Sequence, residues 1–93
     1  MIVQTFQREF NTVADEKTLF NALIQSTAKA GATIFATGKH EFSPCGLTAF
    51  VVLGESHSAL HSFPEKSLVW VELATCKDEI DIDLFFEVFS KMI

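Results

Sequence analysis

The spacing of apolar residues changes period several times along this chain. Met1 to Phe10 alternates loosely, with Ile2, Phe6 and Phe10 on one parity, and predicts a first strand. From about Asp15 to Ala30 the period lengthens. Leu19, Phe20, Leu23, Ile24 and Ala28 recur at three- and four-residue intervals, with Thr12 or Asp15 as caps and Gly31 just past the end. That pattern predicts an amphipathic helix. β-favouring runs follow at Thr33–Thr37, Leu47–Leu53 and Leu68–Thr75, each bounded by Gly, Pro, Ser or charged residues. Between the last two, His57 to Phe63 alternates, which puts His57, Ala59, His61 and Phe63 on one side of a further strand. A stripe of Ile82, Phe85, Phe86, Phe89 and Met92 predicts a second helix, and Asp78, Glu79 and Asp81 suit the positive end of its dipole. The order β-α-β-β-β-β-α predicts an α+β fold, a two-layer sandwich of antiparallel β-sheet with two helices on one face.

Composition narrows the class. Ninety-three residues leave room for one domain, 1–93, since two would each fall below the size that sustains a core unaided. A hydrophobic content of 48%, 20% charged residues and a mean hydropathy of +0.28 exclude a disordered chain. The net charge of −5, with no cluster of basic residues, argues against a nucleic-acid partner. No apolar run approaches the roughly 18 residues needed to span a bilayer, and Met1–Thr5 lacks the pattern of a signal peptide, so a cytoplasmic location with no membrane partner is expected. Cys45 and Cys76, without CxxC spacing, are expected as free thiols. Ten Phe and one Trp exceed what so small a sphere easily hides, which predicts a homodimer.

The chemistry-bearing residues concentrate between Phe42 and Cys76, around a Gly54-Glu55-Ser56-His57 corner. Ser56, next to His57 and five residues before His61, suggests a nucleophile and base, but GxSxG is absent and His57 cannot easily face its own neighbour. His57 and His61 have the i, i+4 spacing of helical zinc ligands, yet they sit on a strand and HExxH is absent, so no metal is expected. Taken alone, Ser56 and Glu65 read as turn residues, His61 as a half-buried strand histidine, Cys76 as a small buried hydrophobe and Phe42 as one core ring among ten. His40, His57, Cys45 and Trp70 read as structural.

Joint spacing changes that weighting. Phe42-Ser43-Pro44, Gly46-Leu47-Thr48-Ala49, Glu55-Ser56-His57, Leu60-His61-Ser62-Phe63-Pro64-Glu65 and Thr75-Cys76 together resemble the bacterial S-adenosylmethionine decarboxylase proenzymes. The resemblance implies self-cleavage of the Glu55–Ser56 bond into 1–55 and 56–93, with Ser56 becoming a pyruvoyl group that condenses with a substrate amine as a Schiff base. It further implies that His61 transfers protons in processing, that Thr48 supplies a processing hydroxyl and that Cys76 donates a proton in decarboxylation. Phe42 is implied as an adenine platform and Glu65 as a ribose ligand. The chemistry is consistent: Ser56 Oγ attacks the Glu55 carbonyl, donors stabilise the oxyanion, and an imidazole takes the Cα proton. Gly54 is expected to provide the strained backbone at the cut.

The expected activity is decarboxylation of S-adenosylmethionine for spermidine synthesis. Alternatives are a pyruvoyl decarboxylase of a basic amino acid such as ornithine or arginine on the same scaffold, and a regulatory or binding paralogue that never cleaves. The sequence departs from the resembled pattern at Phe63, Glu72, Ala74 and Lys77, where Trp, Asp, Phe and Gly are usual. It also ends after the second helix, where the pattern continues into a strand and basic tail, so an exposed sheet edge is expected.

Overall fold

A computed structural model describes residues 2–93. The elements are β1 (Gln4–Asn11), α1 (Glu16–Lys29), β2 (Ile34–Glu41), β3 (Leu47–Leu53), β4 (Ser56–Phe63), a 3-10 turn (Pro64–Lys66), β5 (Leu68–Thr75) and α2 (Ile82–Met92). The strands form one sheet in the order β1-β5-β4-β3-β2, antiparallel at every pairing. Both helices cover the same face, giving the predicted α+β sandwich.

Local chemistry sets the helix ends. The Asp15 carboxylate caps α1 by accepting from the Thr18 N–H at 2.8 Å. Hydrogen bonding from the Thr18 side chain and backbone holds that carboxyl below its ordinary pKa. Thr12, the other candidate cap, instead accepts from the Ala14 N–H. Past the end, Gly31 takes a φ of +97°, which other residues resist. At α2 the cap is Asp81, accepting from the Leu84 N–H at 3.0 Å, while Asp78 and Glu79 fall in the preceding turn. The Asp81 N–H in turn donates to Ala30 O, tying the start of α2 to the end of α1.

Alternation decides which face of each strand is buried. Leu47, Ala49, Val51 and Leu53 of β3 pack under the helices, with Leu60 of β4 and Val69, Val71 and Leu73 of β5. Phe85, Phe86 and Phe89 of α2 close the core, each contributing about 2 kcal/mol by burial. One polar pair crosses this layer. Thr27 and Ser58 hydroxyls lie 2.8 Å apart, and Thr27 also donates to Leu23 O, so both are satisfied where an unpaired hydroxyl would be costly.

Several strand boundaries differ from the expected ones: Ile2 and Val3 precede β1, β2 begins at Ile34 and not Thr33, and β4 already includes Ser56. β1 runs to Asn11, and Met1, placed in the first strand above, lies outside the described residues. β2 continues past Thr37 to Glu41 because its ladder with β3 extends to the Glu41–Leu47 pair, and polar side chains cost little on an edge strand. The second face of the sheet carries no helix. It presents the predicted set His57, Ala59, His61 and Phe63, with Thr48, Phe50 and Val52 alongside. Phe50, Val52 and Phe63 remain 46%, 40% and 38% exposed, a large apolar area for one uncovered layer. The Phe50 ring lies directly over Gly38 of β2, filling the space a Cβ would need.

Candidate active site

The turn joining β3 to β4 is two residues long, Gly54 and Glu55, closed by the Leu53–Ser56 pair. So short a loop forces one residue into the left-handed region. That residue is Glu55, at φ 59°, and not Gly54, where the strain was expected. A side chain in that region costs about 1–2 kcal/mol. The strain therefore sits on the residue whose carbonyl precedes Ser56.

Around this corner the neighbours converge. Ser56 Oγ donates to Thr75 Oγ1 at 2.8 Å, and Thr75 Oγ1 also accepts from the Lys77 N–H at 3.0 Å. The half-buried Cys76 thiol approaches the Glu55 carbonyl oxygen at 3.8 Å and its carboxylate Oε2 at 3.7 Å. Register explains the convergence: β5 ends opposite the start of β4, with Ala74 facing His57, so Thr75 and Cys76 arrive beside Ser56 and Glu55. A thiol aimed at a carbonyl oxygen is a donor placed where negative charge would develop on attack.

The other implied residues gather at the opposite end of the sheet. Thr48 Oγ1 lies 2.9 Å from His61 Nδ1, across the β3–β4 ladder. Phe42 closes the β2–β3 loop, its N–H bonded to Gly46 O at 2.8 Å and its ring 4.5 Å from that of His40. Phe42 and Pro64 both lie beside Gly46, at φ +117°, which brings Phe42 near the 3-10 turn carrying the exposed Glu65. At about 3.3 Å per residue, the five steps from Ser56 to His61 cover roughly 16 Å along β4. One chain thus brings together Glu55, Ser56 and Cys76, and separately Thr48, His61, Phe42 and Glu65, but not the two groups. His57 faces the uncovered side, 4.0 Å from Glu72, and does not turn toward Ser56.

Thr75 is a site residue that sequence reasoning missed, although it was visible as the hydroxyl before Cys76. By accepting the Ser56 proton it fixes the serine rotamer and leaves the Oγ lone pairs free. Thr75→Val keeps the shape and removes the acceptor. If the Glu55–Ser56 bond cuts itself, as the resemblance implies, Thr75→Val should slow the cut by up to about a hundredfold, the cost of a misplaced reacting group, while Thr75→Ser retains the rate. A time course of intact mass checks both.

Among the described residues no three His, Cys, Asp or Glu groups are arranged to hold a metal ion. No helix there is long and apolar enough to cross a membrane. A solved adenosylmethionine decarboxylase from Aquifex aeolicus shares this fold, with a TM-score of 0.75 over 98% of this chain and 77% of that one, at 21% identity. The chain is 35% identical over 81 residues to an S-adenosylmethionine decarboxylase proenzyme of Carboxydothermus hydrogenoformans, covering 87% of this chain and 64% of that protein. It is 37% identical over 80 residues to that of Thermodesulfovibrio yellowstonii, covering 82% and 59%. The chain thus spans about 60% of the length of these relatives. A family model for S-adenosylmethionine decarboxylase matches residues 1–93 from end to end, and with the resembled motifs spread over both ends of the sheet, the chain belongs to the S-adenosylmethionine decarboxylase family.

Proposed function

We propose that this protein is a proenzyme that cuts its own Glu55–Ser56 bond and then decarboxylates S-adenosylmethionine, a cytoplasmic step supplying aminopropyl groups for spermidine. The observation that carries this reading is the corner itself, where a left-handed Glu55 presents its carbonyl to the Cys76 thiol beside an oriented Ser56 hydroxyl. Ser56 Oγ adds to the Glu55 carbonyl carbon, the C–N bond breaks, and the chain is joined through an ester. Loss of the Cα proton of residue 56 to an imidazole expels the Glu55 carboxylate and leaves dehydroalanine. Water then releases ammonia. The corner fits the resulting pyruvoyl group, because position 56 opens a strand, is half-buried, and has the thiol beside it. That group supplies a carbonyl that captures the substrate amine and draws off the electrons left by departing CO₂. Cys76 holds the proton that the product carbon needs.

The imidazole at Ser56 comes from a second copy. His61 of the same chain lies roughly 16 Å away along a strand, far beyond proton-transfer reach. Two copies packed by their uncovered faces, about 10 Å apart and running in opposite directions, would set the His61 end of one against the Ser56 end of the other. The exposed Phe50, Val52 and Phe63 supply apolar area for that contact. In such a homodimer, Thr48, His61, Phe42 and Glu65 of one protomer complete the site begun by the other, with Phe42 against adenine and Glu65 on the ribose.

Carbon dioxide release from S-adenosylmethionine, ornithine and arginine tests the substrate. Release is expected from the first alone, with Phe42→Ala raising its KM about tenfold, the scale of a lost base–aromatic stack. Release from ornithine or arginine instead would transfer the reading to a basic amino acid. A chain that stays full-length after long incubation would overturn the enzyme altogether.

A further inference from the structure

One rung of the uncovered face takes a residue from every strand. Glu9 of β1, Trp70 of β5, His61 of β4, Thr48 of β3 and His40 of β2 stand directly opposite one another in turn. His61 sits at its middle, held from two directions. Thr48 Oγ1 lies 2.9 Å from Nδ1, which fixes the imidazole within its own plane. The Trp70 indole stacks on the ring, 5.6 Å between centroids and 28° between planes, which fixes the plane itself. Nε2 has no hydrogen-bond partner among the described residues, so these two contacts leave it as the nitrogen free to exchange a proton.

We propose that Trp70 is a positioning residue for His61, its indole face acting as the platform that orients the imidazole and supports it when it carries a proton. This rests on the proton-transfer role of His61 argued above. A cross-strand aromatic pair already stabilises a sheet, so packing alone would account for a stack. Two features go further. Trp70 is the only tryptophan in a chain otherwise supplied with phenylalanine, and it is stacked on the one histidine whose other restraint is a hydroxyl aimed at Nδ1. An indole face also attracts a cation more strongly than a phenyl or aliphatic surface does, so the platform favours the imidazolium formed during transfer. The charged and titratable groups around the pair are Glu9 and Lys66 beside the indole, His40 beyond Thr48, and Glu72 with His57 farther along the face.

Because Trp70 is the sole indole, its fluorescence reads the stack directly: a protonated imidazole in contact quenches an indole more than a neutral one. In a Ser56→Ala background, which keeps the chain uniform, emission is expected to fall in a single step on acidification, when the stacked imidazole takes up a proton. His61→Asn should remove that step, while His40→Asn, His57→Asn and Glu9→Gln should leave it. With Ser56 intact, Trp70→Leu should slow self-cleavage about tenfold and Trp70→Phe should recover only part of that loss, since a phenyl ring still supports the imidazole but attracts its cation less strongly. The proposal is overturned if the step survives His61→Asn, if Trp70→Leu cleaves as fast as the unaltered chain, or if Trp70→Phe is as slow as Trp70→Leu. Should the unaltered chain never cleave, the decarboxylase reading fails, and the fluorescence step alone still decides the stack.

Discussion

Replacing Ser56 by alanine is expected to leave one full-length chain under conditions in which the unaltered protein, processed as proposed, should resolve into fragments 1–55 and 56–93. Intact mass spectrometry reads the outcome directly. The effect is expected to be complete, because the substitution removes the nucleophile and not merely its alignment. Thr75 Oγ1, 2.8 Å away, and the Cys76 thiol lie on β5 and just beyond it, and neither is the side chain of the residue whose nitrogen must leave. No other oxygen makes the intramolecular ester that relays the cut. The fold should be nearly untouched. Ser56→Ala forfeits one half-buried hydrogen bond, worth about 1 kcal/mol. A complete loss of cleavage with a melting temperature lowered by no more than about 4–8 °C, the shift that about 1 kcal/mol produces in a domain of this size, therefore separates chemistry from folding. Cleavage that persists in this variant would mean that the bond is cut by another route, and the pyruvoyl reading would fall.

The second large effect is a rescue. Ser56→Ala alone has no nucleophile, and His61→Ala alone has no base, so each homodimer should remain uncut. Mixed by coexpression, they should form dimers in which Ser56 from the His61→Ala chain meets His61 from the Ser56→Ala chain. One of the two sites is then whole. The His61→Ala chain is expected to be cut and its partner to stay intact, which mass distinguishes. Two inactive parents yielding fragments only together is the signature of a site shared between copies. If the mixture stays uncut while unaltered chain cleaves, the base is supplied within one chain and the roughly 16 Å along β4 must be closed by rearrangement. A variant at Gly38 gives a companion check. Gly38→Ala drives the Phe50 ring off its seat on the uncovered face and should weaken association without touching either half-site.

Much of this architecture was readable before any coordinates. Leu47–Leu53 and Leu68–Thr75 were bounded correctly because each alternates a buried aliphatic position with an outward one between turn residues. The stripe from Ile82 to Met92 is unambiguous for the same reason, since only a helix gathers those phenylalanines on one side. Polar Lys39, His40 and Glu41 carried no such signal. Their place in β2 comes from hydrogen bonds to β3, which periodicity does not encode. The division of the site was not read from the sequence, which joins Ser56 and His61 in one site. With Ser56 in the corner before the strand His57–Phe63 and His61 near its far end, the rise per residue of a strand keeps them apart. The partnership of Ser56 with Thr75 was not legible, because it depends on the register of β4 against β5. The strained backbone is expected at Gly54 because glycine lacks a Cβ, whereas the two-residue turn puts the strain at Glu55, in the left-handed region.

Strand order gives the cut protein a mechanical property of its own. In the sequence β1-β5-β4-β3-β2, the shorter fragment would own the inner pair β5 and β4, and the longer fragment the strands on either side of them. The smaller piece is gripped like a tenon, and withdrawing it means unzipping two ladders at once, β1 from β5 and β3 from β4. A mature enzyme of this design can carry a permanent nick without shedding half of itself. Dilution should leave it assembled until denaturant melts the whole sheet.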